Sequence, residues 1–273
     1  MQFFLPEHLT PLFYTAGYAS LTDRQRLRYN QLQGLYFNEQ IAFFETAIAR
    51  NVLCALWRDP SLRRLSDTLR QFGEEEQRHT AMFRDLNRRI APHWYTDRHF
   101  YFIRAPRVWA TVLEAATKRP RLFPMFIWLM LLQEERSLYY SREILRHREA
   151  LDPEFIAVHR AHLADEVDHV RWDEELLDEL WNPAGHWRRQ VNAGLFRWMV
   201  TEFFNAPKRA QLRVVEQFVP EHPELPRQLL ALQRDKRFQE SLYSRGIVPK
   251  TLARMDAWPE FRSFLAQLLG EES

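Results

Sequence analysis

Two five-residue segments determine the fold of this chain: EEQRH at residues 75–79 and DEVDH at residues 165–169. Each contains a glutamate followed three residues later by a histidine: Glu76 with His79, and Glu166 with His169. Residues three apart on an α-helix lie on the same side, roughly 60° apart around the axis. Each helix therefore offers one carboxylate and one imidazole at the same place.

Both motifs have a glutamate at the same distance upstream. Glu45 lies 31 residues before Glu76, and Glu135 lies 31 residues before Glu166. Four glutamates and two histidines at these offsets are what the inside of a four-helix bundle provides to two bridged metal ions. A solvent-exposed charged face would explain the first motif alone, but not its second copy. Because oxygen and imidazole ligands suit iron or manganese, the spacing predicts a dinuclear site for such ions.

The upstream glutamates lie among apolar residues, where an uncompensated carboxylate is costly to bury. Bound metal would compensate this charge, which supports Glu45 and Glu135 as ligands. Glu134 is an alternative to Glu135, although it breaks the repeat.

Three more side chains are candidates for the site. His162 lies on the same arc of helix as Glu166 and His169, about 60° wide, and can add a third imidazole. Glu75 and Asp165 directly precede the motif glutamates. An acid at that position can accept a hydrogen bond from the second ring nitrogen of a ligand histidine on the facing helix.

Capping residues and prolines divide the chain into four long helices, which we predict at about 22–57, 62–90, 121–147 and 153–181. Thr22 or Asp23 caps the first, and the pairs Asp59-Pro60 and Asp152-Pro153 end one helix and start the next. Residues 91–105 and a short helix at 106–118 join the two hairpins, as in a ferritin-like bundle. We expect an all-α fold with one domain over 1–273, a core at about 22–181 and accessory helices at about 183–273.

Composition narrows the functional class. The net charge is +2, from 38 basic and 36 acidic residues, so nothing indicates nucleic-acid binding. The apolar run at 123–132 is too short to span a bilayer. The first residues lack the basic flank of a signal peptide, and Cys54 is the sole cysteine, which suits a reducing compartment. We expect a cytoplasmic protein that binds neither nucleic acid nor membrane; its oligomeric state is open and compatible with a homodimer.

With these residues the chain resembles the ferritin-like non-haem di-iron oxygenases, and among them the arylamine N-oxygenase family typified by 4-aminobenzoate N-oxygenase. That family adds a histidine ligand four residues before the second motif glutamate, the position of His162 here. The resemblance covers residues 36–181, and the gap from Glu135 to His162 fits it. The gap between Glu45 and Glu76 is shorter than in the family, which leaves Glu39 as an alternative first ligand; the internal repeat favours Glu45.

The resemblance implies two iron ions, or manganese in their place, at a catalytic centre with the following ligands: Glu45, Glu76, His79, Glu135, His162, Glu166 and His169. It implies that a diferrous centre binds O2, forms a bridging peroxo-diferric species and transfers an oxygen atom to a small amine. Electrons would come from an external donor, because the chain has no Gly-x-Gly-x-x-Gly motif.

Three other functions fit parts of the pattern. Another ferritin-like oxidase, such as a hydroxylase, a desaturase or a radical-generating subunit, would use the same ligands without requiring His162. An iron-storage or ferroxidase protein would also use them, but the accessory helices disfavour a storage cage. A helical interaction protein with a vestigial site is the remaining alternative.

Overall fold

The computed structural model describes residues 2–204 and 209–269. The described residues form helices and no β-strand, and one β-bridge joins Phe3 to Leu151. The α-helices are α1 Ala16–Ser20, α2 Asp23–Phe44, α3 Arg50–Trp57, α4 Ser66–Ile90, α5 Pro92–Tyr95, α6 Arg107–Thr117, α7 Met125–Arg146, α8 Pro153–Leu180, α9 His186–Met199, α10 Arg209–Val215, α11 Leu225–Ala231, α12 Lys236–Tyr243, α13 Pro249–Asp256 and α14 Arg262–Leu269. The predicted all-α fold is confirmed.

Local sequence sets where the core helices begin. Thr22 starts α2 with a capping box: its side chain accepts the N–H of Gln25, and the Gln25 side chain accepts the N–H of Thr22. Asp152 accepts two backbone N–H groups at the start of α8. Asp59 accepts the N–H of Ser61, but the chain forms a 3₁₀ segment, Pro60–Leu65, before α4 begins.

Two helical hairpins form the bundle. In the first, α2 and α3 pack on α4; in the second, α7 packs on α8 along most of its length. The hairpins meet where α4 contacts α8, and the long connection through α5 and α6 joins them. The arrangement brings the inward faces of four helices to one central layer, as in ferritin-like bundles.

A π-helical turn, Glu45–Ala49, separates α2 from α3. Thr46 Oγ1 donates to the carbonyl of Ala42 at 2.6 Å, and hydroxyl-to-backbone bonds of this kind bend and loosen helices. Single π turns are frequent at functional sites. This turn begins at the first glutamate of the repeat, so that glutamate lies in an irregular part of the helix.

The C-terminal helices pack on the bundle. Helices α9 and α13 contact α7, and α10 contacts α2. None of the helices in 2–204 and 209–269 combines the length and apolar character needed to cross a lipid bilayer.

Candidate metal centre

Seven ionisable side chains converge between the four core helices, and each is at most 4% exposed. They are Glu45, Glu76, His79, Glu134, His162, Glu166 and His169. Six of them are residues that the sequence singled out as ligands; Glu134 is the seventh.

Glu166 lies at the centre of the cluster. Its Oε1 is 2.6 Å from Nε2 of His162 and 3.4 Å from Nδ1 of His79. Its Oε2 is 3.6 Å from Nδ1 of His169. Glu166 therefore has a histidine nitrogen near each of its two oxygens and could donate to a metal ion held with these histidines.

Two sets of donor atoms lie close enough to hold an ion. Glu76, His79, Glu166 and His169 offer one set of atoms within 4.8 Å of one another, and Glu45, His79 and His162 offer a second. Glu45 Oε1 lies 3.6 Å from His162 Nε2, and Glu76 Oε1 lies 3.3 Å from His169 Nδ1.

The geometry corrects one expected ligand. The carboxylate of Glu135 does not join the cluster, because it accepts the backbone N–H groups of Lys250 and Thr251 at 2.8 and 2.7 Å. It thereby caps α13, whose own N-cap, Val248, has no polar side chain. Its neighbour Glu134 points inward instead, with Oε2 3.9 Å from His169 Nδ1.

The two alternative first ligands, Glu39 and Glu45, lie in different surroundings. Glu45 lies in the cluster, where Thr80 Oγ1 donates to its Oε2 at 2.8 Å. Glu39 is bound instead by the hydroxyl of Tyr95 and by backbone N–H groups of residues 101–103.

His79 and His169 are each held by a hydrogen bond on the ring nitrogen that points away from the cluster. His79 Nε2 is 3.0 Å from Asp165 Oδ2, and His169 Nε2 is 3.0 Å from Glu75 Oε2. Such partners fix the ring orientation and tautomer, leaving Nδ1 of both rings directed into the cluster. These are the contacts that the positions of Glu75 and Asp165 suggested.

Sequence reasoning missed two supporting hydroxyls. Ser137 Oγ lies 3.2 Å from Nδ1 of His162, and Thr80 supports Glu45. Ser137 follows Glu134 by three residues on α7, and Thr80 directly follows His79. This closeness in sequence to cluster residues was the signal that could have identified both hydroxyls.

The inward atoms fit a pair of metal ions. Glu76 Oε2, Glu166 Oε2 and Nδ1 of His79 and His169 are buried without a hydrogen-bond partner among the described residues. Buried polar atoms are rarely left unsatisfied. Four carboxylates among three imidazoles could balance the charge of two divalent cations, and the unsatisfied atoms are those that such cations would contact.

Without metal, protons must stabilise these charges. Burial and the neighbouring carboxylates Glu45 and Glu166 hold the pKa of Glu76 well above its usual range. Burial alone would lower the pKa of His162, but Glu166 and Glu45 outweigh it and raise the pKa to about 10. Burial opposes ionisation of Glu166 as well, yet His162 holds its pKa well below the usual value.

A cavity of about 460 Å³ lies beside the cluster helices. Its walls include Phe44 and Gln133, which directly precede Glu45 and Glu134, and Ile48, one turn after Glu45. Seven further lining residues are aromatic: Tyr36, Phe37, Phe43, Phe102, Trp109, Tyr140 and Trp198. Four arginines and one glutamate also line it: Arg104, Arg136, Arg209, Arg213 and Glu202.

Comparison with known proteins gives one family match. No curated protein matches the chain. The profile of one family, described as P-aminobenzoate N-oxygenase AurF, matches residues 1–241 of the 273. The matched range includes the bundle, the seven cluster residues and every residue that lines the cavity. The chain therefore belongs to the P-aminobenzoate N-oxygenase family of oxygenases.

Proposed function

We propose that this protein N-oxygenates a small arylamine at a dinuclear iron centre. The proposed ligands are Glu45, Glu76, His79, Glu134, His162, Glu166 and His169. The observation that carries the proposal is the convergence of four buried carboxylates and three imidazoles, several of whose inward atoms lack a hydrogen-bond partner. Membership of an N-oxygenase family supplies the reaction class.

Two ferrous ions bound there would activate dioxygen. The overall reaction converts an arylamine, O2, two electrons and two protons to an arylhydroxylamine and water, so an external reductant must supply the electrons. A reducing compartment, the cytoplasm, suits both that supply and the single cysteine.

The chain's own residues orient the centre and exclude water. Asp165 and Glu75 hold His79 and His169 with Nδ1 inward, and Ser137 restrains His162. The buried position of the cluster keeps bulk water from it, which strengthens every electrostatic interaction inside.

The cavity supports an aromatic substrate with an anionic group. Its aromatic walls can pack against a planar ring, and its arginines outnumber its one acid. Arginine presents a planar set of donors that matches a carboxylate. A 4-aminobenzoate-like molecule carries such a ring and carboxylate together with the amine that would be oxygenated.

The test is a single turnover. Protein loaded anaerobically with ferrous ion is mixed with 4-aminobenzoate and isotopically labelled O2, and products are identified by mass spectrometry. We expect the hydroxylamine, or a more oxidised nitroso or nitro product, with label on nitrogen. Consumption of O2 with no labelled nitrogen product would contradict the proposal and would favour another ferritin-like oxidase.

Replacing His162 should separate oxygen chemistry from folding. We expect His162→Ala to keep its helix content, because the side chain is one of many in the core, but to react with O2 more slowly by about tenfold or more. Replacing a residue that supports a metal ligand typically costs roughly 10–100-fold in metal affinity or activity, and loss of a ligand should cost at least as much. Stopped-flow absorbance after O2 mixing measures the rate, and circular dichroism controls for folding. A variant that reacts like the parent would show that His162 is not a ligand.

A further inference from the structure

Glu39 is a buried carboxylate two helical turns before Glu45, and it is 1% exposed. Four donors surround it: Tyr95 Oη at 2.7 Å and the backbone N–H groups of Tyr101, Phe102 and Ile103 at 2.6, 2.9 and 3.0 Å. Among the described contacts, none joins its carboxylate to the metal cluster. It therefore has a different role from Glu45.

Three consecutive backbone N–H groups around one anion form a backbone nest. Residues 96–106 between α5 and α6 form no helix or strand, so their N–H groups need other acceptors. Bonds from N–H groups to a carboxylate are stronger than those between neutral groups. Glu39 thus fixes the path of a segment that has no regular structure of its own.

That segment is a wall of the cavity. Phe102, Ile103 and Arg104 all line it. Arg213 lines the cavity from α10, and its guanidinium N–H donates a hydrogen bond to the carbonyl oxygen of Phe102. One buried carboxylate therefore holds the backbone that carries Arg104, and the same backbone holds Arg213.

We propose that Glu39 is a positioning residue for substrate recognition: by anchoring residues 101–103 it holds Arg104 and Arg213 where they receive the anionic group of an aromatic substrate. This inference rests on the proposed function, since it concerns the same cavity and substrate. Among the described residues, Glu39 belongs neither to the lining of the cavity nor to the metal-capable groups.

Glu39→Gln tests the inference with little change in volume. The substitution replaces one acceptor oxygen with an NH₂ group that faces backbone donors, so the wall loses part of its anchor. Binding of 4-aminobenzoate and of aniline, which has the same ring and amine but no carboxylate, is measured by calorimetry on the metal-free protein. Steady-state KM and kcat are measured on the iron-loaded protein.

We expect Glu39→Gln to weaken binding of 4-aminobenzoate by about tenfold or more and to raise its KM equally. Binding of aniline should change by less than about twofold, kcat by less than about threefold, and the iron content not at all. Arg213→Gln, which leaves the nest intact, should show the same selective loss. The double variant should lose little more than either single one, because both act through one wall.

Glu260→Gln is the matched control. Glu260 is also a buried carboxylate, but it pairs with Arg189 and His186 and does not line the cavity. It should bind both ligands like the parent. Equal weakening for 4-aminobenzoate and aniline in Glu39→Gln, unchanged binding of both, or loss of iron would each overturn the inference.

The two proposals fail in different ways. If the parent binds 4-aminobenzoate but yields no nitrogen oxidation, the proposed reaction is wrong, while the selective binding loss still supports the role of Glu39. If the parent oxygenates the amine but Glu39→Gln leaves KM unchanged, only the role of Glu39 is wrong.

Discussion

Glu134→Gln should lower the iron content from two ions to one or fewer per chain, whereas Glu135→Gln should retain both. Glu134 faces His169 inside the cluster, while the Glu135 carboxylate is occupied by the N–H groups of Lys250 and Thr251. Loss of a carboxylate ligand removes both a donor and a compensating charge. Iron per chain is measured colorimetrically after anaerobic ferrous loading and desalting.

The adjacent variant is the control, because it makes the same chemical change one residue away. Glu135→Gln should weaken the cap of α13 and lower Tm by roughly 1–8 °C, from a helix-cap loss of about 0.5–2 kcal/mol. If Glu135→Gln lost iron and Glu134→Gln kept it, the inward position of Glu134 would be wrong and the spacing of the repeat would have been the better guide.

Metal binding should raise Tm by about 10 °C or more, and the difference should widen from about pH 6.5 to pH 10. Saturation at about 1,000 times the dissociation constant stabilises by about 4 kcal/mol per site, and in a chain of this size each kcal/mol is worth about 2–4 °C. The metal-free protein should become less stable over this pH range because protons that stabilise the cluster are lost.

The direction of this pH dependence follows from the proton that His162 binds. The pKa of His162 is raised to about 10 from an ordinary value of 6.5, because Glu166 and Glu45 outweigh the opposing effect of burial. Its contribution to stability is therefore complete below about pH 6.5 and is lost as pH rises toward 10. Burial and Glu166 also raise the pKa of Glu134. This shift likewise lowers the stability of the metal-free protein as the pH rises above the ordinary pKa of a glutamate. Bound metal replaces these protons.

Differential scanning calorimetry of the metal-free and iron-loaded forms, run anaerobically at several pH values, measures this effect. Metal-free His162→Ala is the control, because it lacks the titrating imidazole and should show a shallower loss of Tm. A metal-free parent whose Tm rises over the same pH range would contradict the assigned charges.

The fold was predictable because its signals are local. Thr22, Asp59 and Asp152 cap helices or turns through neighbours in the sequence. The positions of Glu75 and Asp165 next to the motif glutamates likewise follow from helix geometry, so their hydrogen bonds to the facing histidines could be anticipated.

The choice between Glu134 and Glu135 depended on a contact distant in sequence. Adjacent helix positions point about 100° apart, so only one of the two can face the cluster, and both have apolar neighbours. The Glu135 carboxylate accepts the N–H of Lys250 at the N-terminus of α13, 115 residues away. The repeat also assumes equally regular helices, whereas the π turn at Glu45–Ala49 breaks the symmetry between the halves.

Glu39 could not be interpreted from sequence for a similar reason. Its partners belong to the irregular segment at 101–103, and no periodicity predicts where such a segment runs. A buried glutamate on a core helix reads as a metal ligand until the backbone that it binds is known.

Metal content shows whether this cluster binds two metal ions, as we propose. The purified parent protein is loaded with ferrous ion under anaerobic conditions, desalted, and assayed for iron and protein concentration. We expect close to two irons per chain. One iron or none would contradict it and would leave the repeated carboxylate–histidine pattern without a dinuclear centre.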